Sequence, residues 1–419
     1  MRATLDSWLL TVCAARVLLY ANFMVYAACL PVVQVAWGMS ATQAGSIASG
    51  FMVGYAVSLV AFSWLADRLG ARRVALWSAW LSGAGALAFG LLANSYASAL
   101  ALYTLAALCQ GGTYTPLIML LADRYEAGRR GAAVGWLIAS TSAGYAASLV
   151  VSGATLAVGG YRLAFIATGL MPALGAALLA VALRPTPNRI HPRSAGLKLR
   201  AILRTNANAR RLIAGYTGHS WELLGMWAWI PAFLAASAAL SGASLTSAAV
   251  SGAYLSAALH VTGATAASTM GGLSDRLGRR TVLVALAALS ACLSLSIGWL
   301  VSWPVQALLL LGLIYSFAAI GDSPVLSVAL TEVVEPGILG TVLALRSVLG
   351  FGAGAISPLA FGAVLDLGNP PGATPTVWGW AFVLLGAGGL VATACAWSLR
   401  PEPKPSAQAQ AEPAQADPQ

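Results

Sequence analysis

The sequence predicts an all-α membrane protein with twelve transmembrane helices arranged as two pseudo-symmetric six-helix halves. Three observations carry this expectation. Of the 419 residues, 59% are hydrophobic and only 9% are charged, against about 25% charge in ordinary soluble domains. One soluble core cannot hide that much apolar surface, so lipid is the natural solvent. The apolar residues also come in runs near the ~20 residues that cross a bilayer as a helix. Such runs are too long for barrel strands, and only helices or closed barrels satisfy the backbone in lipid. Finally, Leu65-Ala66-Asp67-Arg68-Leu69-Gly70-Ala71-Arg72-Arg73 returns as Leu273-Ser274-Asp275-Arg276-Leu277-Gly278-Arg279-Arg280. At that offset of 208 residues, Asp67, Arg68, Gly70 and Arg72 fall on Asp275, Arg276, Gly278 and Arg280. A fixed offset of about half the chain is a sign of duplication.

Along the chain, spans are expected at 8–36, 43–66, 74–93, 98–122, 132–158, 163–183, 212–236, 247–274, 281–301, 305–330, 340–365 and 377–398. The first run is too long for a signal-peptide core and lacks a convincing cleavage site, so it is expected to stay as span one. Spans two and three flank the first basic loop, and spans eight and nine flank its copy. Spans four and ten carry Pro116 and Pro324, again 208 residues apart, each preceded by a polar turn (Gln110-Gly111-Gly112-Thr113-Tyr114-Thr115 and Gly321-Asp322-Ser323). The expected division is an N-terminal half at 1–183, a basic linker at 184–211, a C-terminal half at 212–400 and a disordered tail at 401–419 rich in Pro, Ala and Gln.

Orientation follows from the basic residues. With the N-terminus in the cytoplasm, twenty of the 23 Lys and Arg fall on the cytoplasmic side, Arg162 falls outside, and Arg16 and Arg346 lie within spans. Both termini are therefore expected in the cytoplasm of a bacterial cell, with the protein in its inner membrane. The net charge of +10 reads as a topology signal next to anionic headgroups, so no nucleic-acid partner is expected. Five scattered cysteines (Cys13, Cys29, Cys109, Cys292, Cys395) show no metal spacing and read as small buried hydrophobes. No metal, cofactor or catalytic residue is expected, because His191, His219 and His260 are scattered rather than clustered with acids.

On these residues the chain resembles the major facilitator superfamily. The resemblance covers about residues 8–400 and rests on the span count, the central loop and the G-x-x-x-D-R-x-G-x-R-R signature after span two. The first copy has Ser63 at the leading glycine, and the second keeps Gly271 but has Thr281 at the last arginine. Tyr161-Arg162 with Phe165 is similar to the aromatic-Arg pair before the family's span six. Two departures argue against a drug/proton antiporter. Ala107 stands where the family's span four carries arginine before Gln110-Gly111, and Ser140-Thr141-Ser142-Ala143-Gly144-Tyr145 lacks the span-five proline. The resemblance implies a secondary transporter whose substrate site lies between the halves near mid-membrane.

Charges inside the membrane cost at least a few kcal/mol and are functional candidates. Arg16 lies about eight residues into span one and Glu222 about ten into span seven, roughly 12 and 15 Å deep at helical rise. Arg16 plus 208 is Leu224, so the repeat puts the two at similar depths on equivalent helices. Arg16, with Tyr20 one turn on, is expected to bind a substrate anion, with Glu222 as counter-charge or proton carrier and His219 on its face. A structural ion pair joining the halves is the other reading. Asp322 and Arg346, in spans ten and eleven, agree in depth to about 3 Å. They form either a fixed pair or a second site in which Arg346 binds an anion while Asp322 titrates. A cation on each half suits a small carboxylate. His260 reads as a hydrogen-bonded helix contact, and Trp221, Trp227 and Trp229 face lipid or a cavity wall.

The basic loops are expected to form a cytoplasmic gate of Asp67, Arg68, Gly70, Arg72, Asp123, Asp275, Arg276, Gly278, Arg280 and Glu332. In it Asp67 sits at a helix N-terminus, Arg72 pairs with Asp123 and Arg280 with Glu332. The chain therefore reads as a secondary active transporter of a small organic solute, an organic anion first, driven by a proton or substrate gradient. Efflux of hydrophobic drug-like compounds and a transporter-fold sensor are the alternatives. Its expected partners are the small-molecule substrate, a coupling proton and the lipid bilayer, with the chain acting as a monomer.

Overall fold

The computed structural model describes residues 6–190, 206–370 and 375–400. The expected tail and the middle of the basic linker lie outside them. Among the described residues all regular structure is helical. Span one is two helices, α1 (Ser7–Leu19) and α2 (Val25–Ala36). Then come α3 (Ala41–Leu69) and α4 (Ala71–Leu92). Span four is α5 (Tyr96–Gln110), a 3-10 turn (Gly111–Thr113) and α6 (Thr115–Arg124). Spans five and six are one 56-residue element, α7 (Ala127–Ala182), folded back at Gly159 and Gly160, the latter at φ +70°. The second half is α8 (Ala207–Leu240), α9 (Leu245–Leu277), α10 (Arg279–Ile297) with a 3-10 turn (Gly298–Leu300), α11 (Val305–Val333), α12 (Pro336–Gly368) and α13 (Gly379–Trp397).

Twelve membrane crossings result, as expected. Among the described residues nine elements are long and apolar enough to cross by themselves, and one of these is the folded α7. Span one, as two shorter apolar helices, and the 33-residue α9 make up the rest. Large apolar side chains such as Leu10, Trp80, Val158, Val261 and Leu367 are exposed around the outside, where lipid is their solvent. Cys13 and Cys29 are buried, as expected, but Cys292 is exposed.

The duplication is visible in backbone geometry. Gly70 ends α3 at φ 89°, ψ 141°, and Gly278 ends α9 at φ 88°, ψ 139°. A side chain at positive φ is strained, which accounts for glycine at both turns. Asp67 accordingly lies in the last turn of α3, at a helix C-terminus, and not at the N-terminus expected from the sequence.

Of the two breaks in the first half, the one in span one departs from the continuous span expected, and the one in span four falls at the polar turn before Pro116. Unwound backbone at membrane depth persists only where its polar groups find partners, and here other spans supply them. Gln110 Nε2 donates to the Leu19 carbonyl (2.9 Å), Tyr103 OH to the Phe23 carbonyl (2.8 Å), and the Met24 N–H donates to Ser148 Oγ (3.1 Å). In span four, Gly111 N–H donates to Ser58 Oγ (3.0 Å). Gly111 packs on Ser58 and Gly112 on Ser78 so closely that a Cβ would not fit.

The halves touch along α3 with α12 and α7 with α9, while α2 meets α8 and α9. We call the side bearing Asp6 and Arg400 the terminal face and the opposite side the far face. Among the described residues, every hydrogen bond between the halves joins α3 to α12 in the membrane half nearer the far face. At the terminal face, contacts within a half include Tyr125 OH to Asp6 (2.7 Å), Asn206 to the Val333 carbonyl, and Arg279 to Glu332.

Candidate functional site

Arg16 sits in the last turn of α1, where the helix dipole favours a cation, and is fully buried. Its Nε donates to Thr141 Oγ1 of α7 (2.8 Å), its Nη1 to the Thr113 carbonyl of the 3-10 turn, and its Nη2 to Tyr20 OH (3.4 Å). The guanidinium carbon lies 4.6 Å from the Tyr20 ring centre and 5.1 Å from that of Tyr114. Tyr20 OH is in turn 2.9 Å from Tyr55 OH. Among the described residues no carboxylate pairs with Arg16. Neutral acceptors and ring faces orient the cation without cancelling its charge.

The second half holds two carboxyl groups and a histidine. His219 on α8 places Nδ1 2.7 Å from Asp322 Oδ1 on α11, both groups buried. The contact is short but not aligned as a hydrogen bond, and Oδ1 has no other hydrogen-bond partner. Glu222 points to the inside of the half, where Ser290 Oγ donates to its Oε1 (2.9 Å). Tyr315 and Ser294, themselves 3.0 Å apart, lie beside it, and Gly389 leaves room for its other oxygen. Arg346 on α12 donates from Nη1 to Ser327 Oγ (2.7 Å) and lies 4.1 Å from the Tyr216 ring centre, with its Nε unpartnered. Tyr216 also neighbours His219, ring to ring at 5.5 Å.

Tyr114 lies in the electrostatic field of both Arg16 and Arg346. Arg16 itself lies over the Tyr114 ring, while Arg346 lies over Tyr216 of its own half. Aromatic contacts cross between the halves nearby: Tyr145 with Trp227 (5.4 Å) and His260 (5.6 Å), and Tyr55 with Phe351 (6.2 Å).

Several expected pairings are replaced. Arg16 and Glu222 do not meet, because Glu222 turns into its own half toward Ser290. Asp322 takes His219 as its partner, and Arg346 takes Ser327 and Tyr216. His260 packs on Tyr145 and Trp227 (5.2 Å). In the expected gate, Arg72 Nε donates to the Leu183 carbonyl (2.8 Å), Glu332 is held by Arg279 (2.8 Å) and not by Arg280, and Asp275 also pairs with Arg279. Arg280 lies over Trp397 and Arg68 over Trp64. Arg276 and Asp123 are exposed. Sequence reasoning missed Thr113, Tyr114, Thr141 and Tyr216 as site residues. The polar turn before Pro116 and the Ser140-Thr141-Ser142 run were the available signals. Among the described residues no group of three or more His, Cys, Asp or Glu stands together as a metal site.

Two six-helix bundles around a charged, aromatic interface define a polytopic membrane transporter. The profile of the Major Facilitator Superfamily matches residues 12–263 and 244–418, and the chain belongs to that family; it is a transporter, not an enzyme. A probable 4-methylmuconolactone transporter from Cupriavidus pinatubonensis (strain JMP 134 / LMG 1197) is 26% identical over 376 residues, covering 85% of this chain and 83% of that protein. Among solved structures, a bacterial homologue of the human lysosomal transporter Spinster, inward-facing and unoccupied, superposes with TM-score 0.75 at 16% identity, over 93% of this chain and 95% of that one. A D-xylose-proton symporter gives 0.74 at 17% identity, over 94% and 97%. These structural likenesses show the fold.

Proposed function

We propose that the chain is a secondary active transporter of a small unsaturated organic carboxylate, working by alternating access and driven by a proton gradient. The observation that carries this is Arg16: a fully buried guanidinium with no carboxylate partner among the described residues. A buried unpaired charge is costly, and a substrate anion would neutralise it. Arg346 supplies the second cation from the other half. The named relative supports the class, since a muconolactone keeps a free carboxylate beside its unsaturated ring. Export of apolar compounds would have no use for an uncompensated Arg16.

Residues 1–183 and 212–400 are the moving halves and 184–211 the tether. The terminal face is cytoplasmic, supported by the clustering of Lys and Arg there, in a bacterial inner membrane. The far-face contacts then make this an inward-open arrangement. The His219–Asp322 pair carries the coupling proton, and Tyr216, touching both His219 and Arg346, connects proton and anion. The test is uptake of radiolabelled 4-methylmuconolactone and simple unsaturated carboxylates into proteoliposomes, with and without an inward pH gradient. Equal uptake by wild type and Arg16→Gln would overturn the carboxylate reading.

A further inference from the structure

A helix N-terminus leaves its first N–H groups without intrahelical partners. In α3 a capping box formed by Ser40 and Gln43 satisfies some of them: Ser40 Oγ accepts from Gln43 N–H (3.2 Å), and Gln43 Oε1 accepts from Ser40 N–H (3.1 Å). The N–H groups of Ala41 and Thr42 remain. Both are taken by one carboxylate on the other half. Asp366 of α12 accepts from Ala41 N–H at Oδ1 (2.8 Å), and from Thr42 N–H (2.8 Å) and Thr42 Oγ1 (2.6 Å) at Oδ2. The cap of α3 is therefore shared between the two halves.

A second layer lies deeper. Leu359 N–H of α12 donates to Ser49 Oγ of α3 (3.0 Å). Gly45 abuts the Pro358 carbonyl and Gly362 the Ala41 carbonyl, each so closely that no Cβ fits. The two helices meet backbone to backbone here.

We propose that Asp366 is the catch of a gate on the far face, holding the halves together by completing the cap of α3 and releasing it in each transport cycle. Its position at the rim makes the contact reversible. Asp366 is exposed and Thr42 half-buried, so water replaces each partner when the halves part, and neither helix is left with a buried unsatisfied group. The carboxylate also complements the positive end of the α3 dipole, which an amide does only weakly. The proposal depends on neither the carboxylate nor the proton reading.

The test is a distance measurement on the full chain in lipid nanodiscs, without substrate. Nitroxide labels on Val158→Cys (end of span five) and Leu240→Cys (end of span seven), both exposed near the far face, report the separation of the halves. Cys109, Cys292 and Cys395 are replaced by Ser. Asp366→Ala is expected to raise the long-distance fraction about threefold through loss of a contact made in only one state. Thr42→Val, which removes one donor, and Asp366→Asn, which keeps an acceptor oxygen, are expected to move it the same way by less. If Asp366→Ala fails to fold, these two milder variants decide. Wild-type distance distributions in the folded variants would overturn the proposal.

Discussion

The two halves share a backbone plan but bury different ionisable groups. The N-terminal half encloses a guanidinium, Arg16, with hydroxyls, a carbonyl and tyrosine rings around it. The C-terminal half encloses two carboxylates, Glu222 and Asp322, and sets His219 against one of them. Duplication preserved the glycine turns after α3 and α9 almost to the degree, yet no charge within a span is matched by its copy. The difference teaches a division of labour. Backbone geometry is inherited by both halves because the helices must turn and pack alike. Side-chain charge is free to diverge, and in the proposed cycle one half meets the anion while the other holds the proton.

That contrast is open to direct attack. The largest expected effect is at Arg16. Arg16→Gln should lower carboxylate uptake by about 100-fold, since truncating one side of a buried charge-assisted contact leaves the partner charge unmet. Arg16→Lys should still lose about tenfold, because an ammonium cannot reproduce the planar fork. Initial uptake rates in proteoliposomes check both.

Next in size, His219→Gln and Asp322→Asn should each cut pH-driven accumulation by about tenfold, as expected when a proton-binding group is removed. Exchange of labelled for unlabelled substrate, with no net proton flow, should persist. Loss of exchange together with accumulation would return the pair to a purely structural role.

A smaller effect is expected at Glu222. Its contacts are to hydroxyls inside the half, and Glu222→Gln keeps an oxygen for the Ser290 donor, so transport should stay within about threefold of wild type. Near-zero uptake would place Glu222 in the cycle and erase the division between the halves.

The smallest effect lies outside both cores. Asp6 caps α1, accepting from Leu9 N–H (2.8 Å) and Tyr125 OH (2.7 Å). Burial pushes its carboxyl up, but the Leu9 amide, the Tyr125 hydroxyl and the Arg124 and Arg129 charges together hold it below the ordinary value of 3.8. The folded state thus favours the carboxylate. Its contribution is present above about pH 4 and fades as pH falls through the lowered value. Asp6→Ala should cost about 1 kcal/mol at neutral pH, and the gap in melting temperature from wild type should narrow under acid.

The architecture was largely legible in the chain. Run lengths and the doubled Asp-Arg-x-Gly motif identified twelve spans and two halves, because lipid imposes a length and an apolar composition that composition alone can satisfy. The break at Tyr20–Met24 was not legible, and that at Gly111–Thr113 was marked only as a polar turn before Pro116. They depend on Gln110, Tyr103, Ser148 and Ser58 arriving from other spans, and no local propensity encodes that. The candidate site was legible only as a set of polar residues. Arg16, Tyr20, His219, Asp322 and Arg346 stood out as polar residues in apolar runs. Depth along a helix is one coordinate, however, and it does not say which way a side chain points around the axis. Arg16 and Glu222 agreed in depth and differ in direction.

Composition, run length and internal repetition thus settled the solvent, the number of crossings and the duplicated plan, because each is a property summed along the chain. Partner choice was decided only by packing. Asp322 finds His219, Glu332 finds Arg279, and Asp366 finds the first turn of α3, across sequence separations of 103, 53 and more than 320 residues. A hydrogen bond forms within about 3 Å and in a narrow range of angles, and that precision is reached only when whole helices have settled against one another.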